Sequence, residues 1–221
     1  MKLFLDTANV NEISDAISKG IIQGVTTNPS ILAKEPKTDF TGHIKKIAAL
    51  CKEGGNLPLS VEVFAKEPQS MFEQALEIVE NIGYNNLNIK IPVGYEELEV
   101  INKLNSRGID VNCTCCFTAA QMEMAVLAGA KYVSLFYNRL IDVGGNPLQV
   151  ASKVSKFIQD TNKNSEIIAG SIRNSYDIEN AWNAGCHIVT AGYSIVKKSM
   201  KHSKTDESVN GFLKDFEKWI S

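Results

Sequence analysis

The strongest constraint on the fold is an alternation of short apolar stretches with longer amphipathic ones, repeated eight times along the chain. Each apolar stretch has the length and composition of a β-strand, and each amphipathic stretch has apolar residues at helical spacing. Glycines follow many of the predicted helices, where helices commonly end: Gly20, Gly83, Gly108, Gly129 and Gly185. The alternation therefore predicts repeated strand–helix units and a parallel sheet.

Eight such units joined by short loops predict an α/β protein with a closed (β/α)8 barrel. An open, doubly wound sheet is the competing architecture, but no Gly-x-Gly-x-x-Gly follows the first strand. The predicted strands are 2–5, 23–27, 59–63, 86–92, 109–114, 131–135, 166–169 and 187–190. The predicted helices are 9–19, 30–34, 39–52, 69–82, 95–106, 118–128, 147–161, 175–184, a short one from 193, and 206–220. We expect one domain over 1–221, with 203–221 as an extra C-terminal helix.

Charge and hydropathy exclude several classes of protein. The formal net charge of the 221 residues is −2, and no basic run suggests a nucleic-acid or membrane surface. The apolar run near the start, Leu3-Phe4-Leu5, is too short for a signal peptide, and no later stretch is long enough to span a bilayer. We therefore expect a cytoplasmic protein without nucleic-acid or membrane partners.

The cysteines and histidines do not form a recognisable metal motif. Cys113, Cys115 and Cys116 cluster without a second half or a nearby histidine pair. We interpret them as reduced, with Cys113 and Cys115 facing outward from their strand under helices. His187, which follows a cysteine in an apolar stretch, is predicted to be a hydrogen-bonded core residue rather than a ligand.

The stretch Asn88-Ile89-Lys90-Ile91-Pro92 has a lysine between two isoleucines. In a strand, Asn88 and Lys90 share one face, opposite to the isoleucines. Burying an ammonium without a partner is costly, so the pKa of such a lysine should fall, and the neutral amine is a nucleophile that forms Schiff bases. The alternative is a lysine at a strand end whose amine reaches solvent.

Polar residues recur at the carboxyl ends of the other predicted strands. In a parallel barrel these ends meet at one opening, here called the barrel mouth, where active sites lie. The polar residues of inward parity, or just beyond a strand, are Asp6, Thr26, Asn28, Glu62, Asn112, Thr114, Asn138, Arg139, Ser171 and Arg173. A single one is best explained as a strand-end polar group, but the whole set, with Lys90, predicts a reaction centre.

The residue types in this set suit chemistry on a phosphorylated sugar. A Schiff-base lysine needs a general acid/base, and Asp6 and Glu62 are two acids near it. Arg139, Ser171 and Arg173 are apt ligands for a phosphate monoester, although Arg139 could instead pair with Asp142. Asn28 and Asn112 could hold sugar hydroxyls.

Five segments resemble the transaldolase family, in its branch of small subunits that also holds the fructose-6-phosphate aldolases. They are Phe4-Leu5-Asp6-Thr7-Ala8-Asn9, Gly24-Val25-Thr26-Thr27-Asn28-Pro29-Ser30, Ile89-Lys90-Ile91-Pro92, Asn138-Arg139 and Ala169-Gly170-Ser171-Ile172-Arg173. The second segment is highly specific, whereas the last two are weak alone. The resemblance covers essentially the whole chain.

The resemblance implies a role for each site residue. Lys90 would form the Schiff base, Asp6 would act on the C4 hydroxyl of the ketose, and Glu62 and Thr114 would hold the catalytic water. The residues implied in substrate binding are Thr26, Asn28, Asn112 and Phe136, with Arg139, Ser171 and Arg173 for the phosphate. No metal or organic cofactor is implied.

Two positions discriminate within the branch. The aldolases typically have glutamine at the position of Glu62 and tyrosine at that of Phe136, so this chain has the transaldolase pattern. An alignment slip by one residue would bring the hydroxyl of Tyr137 into the site, which keeps the aldolase alternative open. The cysteine cluster and the turn at Thr190-Ala191-Gly192-Tyr193 also depart from the family, and neither is expected to touch the catalytic positions.

The last predicted helix has an apolar stripe for which a closed barrel leaves no obvious place: Val209, Phe212, Leu213, Phe216 and Ile220, with Trp219 beside it. The resemblance favours a ring-forming homo-oligomer, a pentamer or decamer, in which this helix crosses to a neighbouring subunit. The stripe could also pack on its own barrel.

These observations lead to three functional hypotheses. The first is a transaldolase of the non-oxidative pentose phosphate pathway, which acts on sugar-phosphate substrates. The second is an aldolase that splits fructose 6-phosphate into dihydroxyacetone and glyceraldehyde 3-phosphate. The third, from another class, is a sugar-phosphate-binding barrel without catalysis, which would have no use for Lys90 and its two acids.

Overall fold

The computed structural model describes the whole chain, residues 1–221, and contains the predicted closed barrel of eight parallel strands. The strands are β1 Lys2–Asp6, β2 Val25–Thr26, β3 Leu59–Glu62, β4 Leu87–Pro92, β5 Asp110–Cys116, β6 Tyr132–Phe136, β7 Glu166–Gly170 and β8 Ile188–Ala191. Each strand pairs with the next in the chain, and β8 returns to pair with β1. The fold class predicted from the alternation is confirmed.

Eleven helices surround or extend the barrel. They are α1 Val10–Ser18, α2 Pro29–Leu32, α3 Phe40–Glu53, α4 Pro68–Ile82, α5 Glu97–Asn105, α6 Ala119–Leu127, α7 Tyr137–Asp142, α8 Pro147–Asp160, α9 Ser175–Asn183, α10 Tyr193–Ser199 and α11 Ser203–Ile220. Helix α7 was not predicted, because its six residues are too few to show helical periodicity. No helix of the chain combines the length and apolar character needed to cross a membrane.

The core has two separate parts. The larger part lies between the barrel and the helices and contains 47 buried apolar residues, from Leu5 to Val196. The smaller part comprises four buried residues, Phe4, Tyr132, Ile168 and Ile188, at alternate inward positions of their strands. This plug fills the amino-terminal end of the barrel interior, so the polar residues farther along the strands are confined to the barrel mouth.

Strand β2 is shorter than predicted, and the residue just before it lies close to this plug. A Cβ at Gly24 would lie 2.6 Å from the ring of Phe4. Only a residue without a side chain allows the backbone to approach the ring this closely. Two residues, Val25 and Thr26, remain as the regular part of the strand.

Helix α11 is 18 residues long, yet none of its residues is buried, a property it shares only with the four-residue helix α2. It begins at Ser203, the first residue of the expected C-terminal segment 203–221 and three residues before the periodic stretch 206–220. At this end the His202 side chain accepts a hydrogen bond from the backbone N–H of Lys204. Its apolar residues are at least half exposed, from Val209 at 50% to Trp219 at 80%. The stripe therefore has no partner within this chain.

Candidate active site

Lys90 and Glu62 form a buried ion pair in the barrel mouth. They are directly paired across β4 and β3, and the Lys90 Nζ lies 2.8 Å from Glu62 Oε2. The same Nζ donates a 3.0 Å hydrogen bond to the backbone oxygen of Thr27. The side chain of Lys90 is only 7% exposed, so the alternative of an amine in solvent is wrong. The expectation of an unpartnered amine is also wrong, because the register of β3 and β4 places the Glu62 carboxylate beside it.

Asp6 ends β1 on the same interior face, and its carboxylate accepts a 2.7 Å hydrogen bond from the Thr26 hydroxyl. Burial raises the pKa of Asp6, while the hydrogen bond from Thr26 and the positive charge of Lys90 oppose the rise. The side chain of Thr190, on the far side of β1, lies 2.6 Å from Thr26 Oγ1. The turn at Thr190 thus contacts Thr26, a residue implied in substrate binding, and reaches the carboxylate of Asp6 only through it.

Asn112 is hydrogen-bonded at both ends of its side-chain amide to two serines. Its Nδ2 donates to Ser60 Oγ at 3.2 Å, and its Oδ1 accepts from Ser134 Oγ at 2.6 Å. The two serine hydroxyls, each able to donate or to accept, hold the amide at both ends, and all three residues are buried. Sequence reasoning missed Ser60 and Ser134, although both have the inward parity of their strands.

Strand β5 contains a bulge that alters the predicted parity of its cysteines. Cys113 pairs with Val133 and Cys116 pairs with Leu135, so three steps along β5 match two along β6. Cys115 is the extra residue, with a left-handed φ of 62°. Cys113 and Cys116 thus share the helix-facing side, with their sulfur atoms 3.9 Å apart, whereas Cys115 is outside the buried core. The prediction that Cys115 packs under a helix is wrong.

Thr114, the residue before the bulge, keeps the inward parity of Asn112. Its hydroxyl oxygen is buried without a hydrogen-bond partner in the protein. Such an orphaned hydroxyl is uncommon in a folded chain. It therefore has hydrogen-bonding capacity that the chain itself does not use.

Asn28 begins helix α2, where its side-chain oxygen accepts a 3.0 Å hydrogen bond from the backbone N–H of Ile31. Asn is a favoured residue at this capping position. The bond fixes the orientation of the amide, because a backbone N–H can only donate and its partner must be the side-chain oxygen. The amide nitrogen donates to no group of the chain. It remains available as a donor near the barrel mouth.

Phe136 is the last residue of β6 and has the inward parity of Ser134. Its ring packs edge-on against Phe117, with centroids 5.7 Å apart, and the Arg139 guanidinium lies 4.6 Å from its centroid. Tyr137 instead is 2% exposed within the helix-side core, and burial raises its pKa. A slip that would exchange these two rings is excluded by the register.

The loop after β7 is organised by the buried carboxylate of Asp177. Its Oδ2 accepts hydrogen bonds from the backbone N–H groups of Arg173 and Asn174 and from Asn138 Nδ2, the last at 2.6 Å. Asn138 Nδ2 also donates to the backbone oxygen of Ser171 at 3.0 Å. Ser171 has a left-handed φ of 60°, a sparsely populated conformation for a residue other than glycine. Sequence reasoning missed Asp177, which resembles any acidic residue in the first turn of a helix.

The two arginines lie at the exposed rim of the barrel mouth. Arg173 donates to both oxygens of Asp142, with Nη1 2.7 Å from Oδ1. The hydrogen bonds from Arg173 lower the pKa of Asp142, and the pKa of Arg173 is raised correspondingly. The alternative considered from the sequence, an ion pair between Arg139 and Asp142, is wrong. Asp142 pairs with Arg173, and Arg139 packs on the ring of Phe136.

The remaining candidates from the sequence are His187 and the possible metal ligands. His187 accepts a 3.0 Å hydrogen bond from the backbone N–H of Ile167, and burial lowers its pKa. The prediction of a hydrogen-bonded residue is confirmed, but that of a core residue is wrong, because His187 is half-buried just before β8. No group of three or more histidine, cysteine, aspartate or glutamate side chains is arranged to hold a metal ion.

Comparison with known proteins identifies the chain's relatives. Residues 3–220 match the family described as Transaldolase/Fructose-6-phosphate aldolase. A probable transaldolase of Caldicellulosiruptor saccharolyticus is 40% identical over 219 residues, which are 99% of this chain and 98% of the relative. Probable transaldolases of Thermoanaerobacter sp. (strain X514) and Thermoplasma volcanium are each 38% identical, and the matches cover 99% of this chain and 98% and 96% of those proteins.

Proposed function

The chain belongs to the transaldolase/fructose-6-phosphate aldolase family, and we propose that it is a transaldolase. It transfers a dihydroxyacetone unit from sedoheptulose 7-phosphate or fructose 6-phosphate to glyceraldehyde 3-phosphate or erythrose 4-phosphate, as in the non-oxidative pentose phosphate pathway. The observation that carries this proposal is the buried Lys90–Glu62 ion pair inside a closed barrel. The Asp6 carboxylate is near enough for the charges of both residues to act on its pKa.

The reaction begins with attack of the Lys90 amine on the keto carbon of the donor sugar. The ammonium must first lose a proton, and the Glu62 carboxylate, 2.8 Å away, is placed to accept it. The resulting carbinolamine loses water to form the Schiff base. Glu62 and the free hydroxyl of Thr114 are polar partners for that water, in a site where it also returns for the final hydrolysis.

Asp6 then removes the proton of the C4 hydroxyl. As that proton leaves, the C3–C4 bond breaks, its electron pair moves into the Schiff base, and the aldose phosphate departs. The enamine that remains on Lys90 attacks the aldehyde of the acceptor, and the new oxygen takes the proton back from Asp6. The raised pKa that burial gives Asp6 favours this two-way exchange, since a base and an acid are needed in turn.

The rim residues bind the substrate phosphate. Arg139 and Arg173 supply guanidinium groups after the neighbouring strands β6 and β7, and Ser171, just after β7, supplies a hydroxyl. The Asp177 carboxylate holds the backbone of this loop in place. Asn28, whose amide oxygen is engaged by a backbone N–H, and Asn112, whose amide is held by two serines, provide polar groups for the hydroxyls of the dihydroxyacetone unit.

Phe136 favours transfer over release of free dihydroxyacetone. It lies on the interior face where the aldolases of this resemblance have a tyrosine, and its ring has no proton to donate. The Tyr137 hydroxyl is in the helix-side core and cannot substitute for it. The enamine therefore persists until an aldehyde acceptor arrives.

An assay with and without acceptor tests this proposal. With fructose 6-phosphate as donor, product formation should require erythrose 4-phosphate and yield sedoheptulose 7-phosphate and glyceraldehyde 3-phosphate. Release of free dihydroxyacetone at a comparable rate without acceptor would assign the chain to the aldolases. No turnover of either kind would favour a binding barrel.

The C-terminal helix α11 joins this chain to further copies in a ring, a pentamer or decamer. Six apolar side chains of one helix are exposed, three of them aromatic, and a monomer in water would not keep such a face free. Light scattering after gel filtration should give the mass of the oligomer. A double variant, Phe212→Ser with Phe216→Ser, should weaken assembly, whereas Lys214→Ser on the same helix should not, and a monomeric wild type would contradict the proposal.

A further inference from the structure

A chain of two threonine hydroxyls inside the barrel ends on the Asp6 carboxylate. Thr190 Oγ1 lies 2.6 Å from Thr26 Oγ1, which in turn lies 2.7 Å from Asp6 Oδ1. Strands β8 and β2 flank β1 on its two sides, so three adjacent strands contribute one residue each. Thr26 is 3% exposed and Thr190 5%, and bulk water therefore does not compete for either hydroxyl.

Counting hydrogens fixes the direction of both bonds. Each threonine hydroxyl has one hydrogen, and an ionised carboxylate has none. Because the hydrogen of Thr26 is directed at Asp6 Oδ1, the hydrogen between the two threonines belongs to Thr190. Thr190 donates to Thr26, and Thr26 donates to Asp6. A hydroxyl that accepts a hydrogen bond becomes a stronger donor, by about 10–30% per bond.

The two carboxylate oxygens of Asp6 consequently differ. Oδ1 is engaged by Thr26, whereas Oδ2 accepts no hydrogen bond from the chain. Oδ2 is not one of the buried polar atoms that are closed off from solvent without a partner. It is the oxygen that a substrate hydroxyl can reach.

On the proposed function, in which Asp6 takes the proton of the C4 hydroxyl, we infer that Thr190 is a positioning residue for this proton transfer. Through Thr26 it holds Oδ1 and orients the carboxylate, so that Oδ2 receives the proton. Thr190 itself touches neither the substrate nor the amine. Its contribution is to the geometry and acidity of Asp6.

The charged groups around Asp6 are the same with and without this hydroxyl. Lys90 of β4 and Lys34, just after α2, favour the ionised carboxylate, and Glu62 of β3 disfavours it. Replacing Thr190 by valine alters none of these charges and keeps the shape of the side chain. A change in the titration of Asp6 in that variant therefore reports on the hydroxyl chain.

The test compares Thr190→Val with Thr190→Ser, which keeps the donor, and with Ser165→Ala. Ser165 donates a buried 2.6 Å hydrogen bond to the backbone oxygen of Ala130 and lies outside the site, so it controls for loss of any buried hydroxyl. We expect kcat/KM of Thr190→Val to fall about fivefold, the effect of about 1 kcal/mol. The acidic limb of its pH profile should move to higher pH by about 0.5 unit, since the ionised carboxylate loses support. Thr190→Ser should restore both.

Borohydride trapping separates the failure of this inference from that of the proposed function. If wild-type protein forms no ketose adduct at Lys90, the proposed function is wrong and the inference is wrong with it. If the adduct forms normally but Thr190→Val keeps the wild-type acidic limb of the pH profile, only the inference is overturned. The same holds if Thr190→Val is only destabilised, to the same extent as Ser165→Ala. Should Thr190→Val fail to fold, Thr190→Ala provides the same comparison.

Discussion

The barrel mouth has two halves that differ in their contact with water. In the reacting half, the side chains of Lys90 and Glu62 are 7% and 14% exposed, whereas in the phosphate half those of Arg173 and Asp142 are 52% and 48% exposed. Charges act strongly on each other where water is excluded and weakly where it is not. The reacting half should therefore control the rate of the chemistry, and the phosphate half the affinity for phosphorylated sugars.

The largest effect is expected for Lys90→Ala. It removes the only side chain proposed to bond covalently to the sugar, so turnover should be abolished while the protein still folds. Steady-state assays with fructose 6-phosphate and erythrose 4-phosphate measure the loss, and circular dichroism checks the fold. Appreciable residual turnover would show that the buried, reacting half of the mouth does not control the chemistry.

Asp6→Asn should reduce kcat by about 1,000-fold, because the base is lost but the shape is kept. It should also stabilise the protein at neutral pH. Burial raises the pKa of Asp6, so the folded state is penalised once the carboxyl ionises, and this penalty grows as pH rises from the ordinary value of 3.8 through the raised one.

Thermal unfolding of Asp6→Asn at several pH values tests that sign. The variant should have the higher Tm at pH 7, and the difference should vanish below pH 3.8, where both forms are neutral in the folded and unfolded states. A variant less stable than wild type at pH 7 would show that the carboxylate charge contributes to the fold.

Arg173→Ala should affect affinity rather than rate. A charge-assisted hydrogen bond is worth about 1.5–3 kcal/mol, so KM for fructose 6-phosphate should rise about 10- to 100-fold with little change in kcat. Unphosphorylated fructose is the control substrate and should be used equally well by both proteins. Equal losses with the two donors would contradict the division of the mouth into halves.

Asp142→Asn should have the smallest effect, in the opposite direction. Asp142 occupies both Nη atoms of Arg173, and neutralising it frees the guanidinium for a phosphate. KM for fructose 6-phosphate should fall about twofold, because an exposed ion pair contributes under about 1 kcal/mol. The difference should shrink in 1 M salt, since the Debye length is then about 3 Å. An unchanged KM at low salt would show that Asp142 does not compete.

Parity explains why much of the reacting half could be predicted from the sequence. Side chains of a strand alternate strictly, so Thr26, Lys90 and Asn112 follow from the strand pattern once a barrel is assumed. The bulge at Cys115 could not be predicted, because one extra residue in a strand leaves no periodic signal. Thr190 was placed in the correct strand, but a threonine there looks like any β-branched residue until its hydroxyl is seen against Thr26.

The phosphate half was harder to predict, because its residues follow the strands and are positioned by loops. Arg139 and Arg173 were identified, yet the partner of Asp142 was assigned to the wrong arginine. Sequence proximity favoured Arg139, whereas the loop that Asp177 holds brings Arg173 across from the next strand. Such contacts between loops depend on the finished fold and have no local pattern.

The most direct test of Schiff-base formation by Lys90 is a mass spectrum of the protein reduced with borohydride in the presence of fructose 6-phosphate. We expect a covalent adduct with the mass of a reduced dihydroxyacetone or ketose unit, located on the peptide that contains Lys90 and absent from Lys90→Ala. No adduct, or an adduct on another lysine, would contradict it.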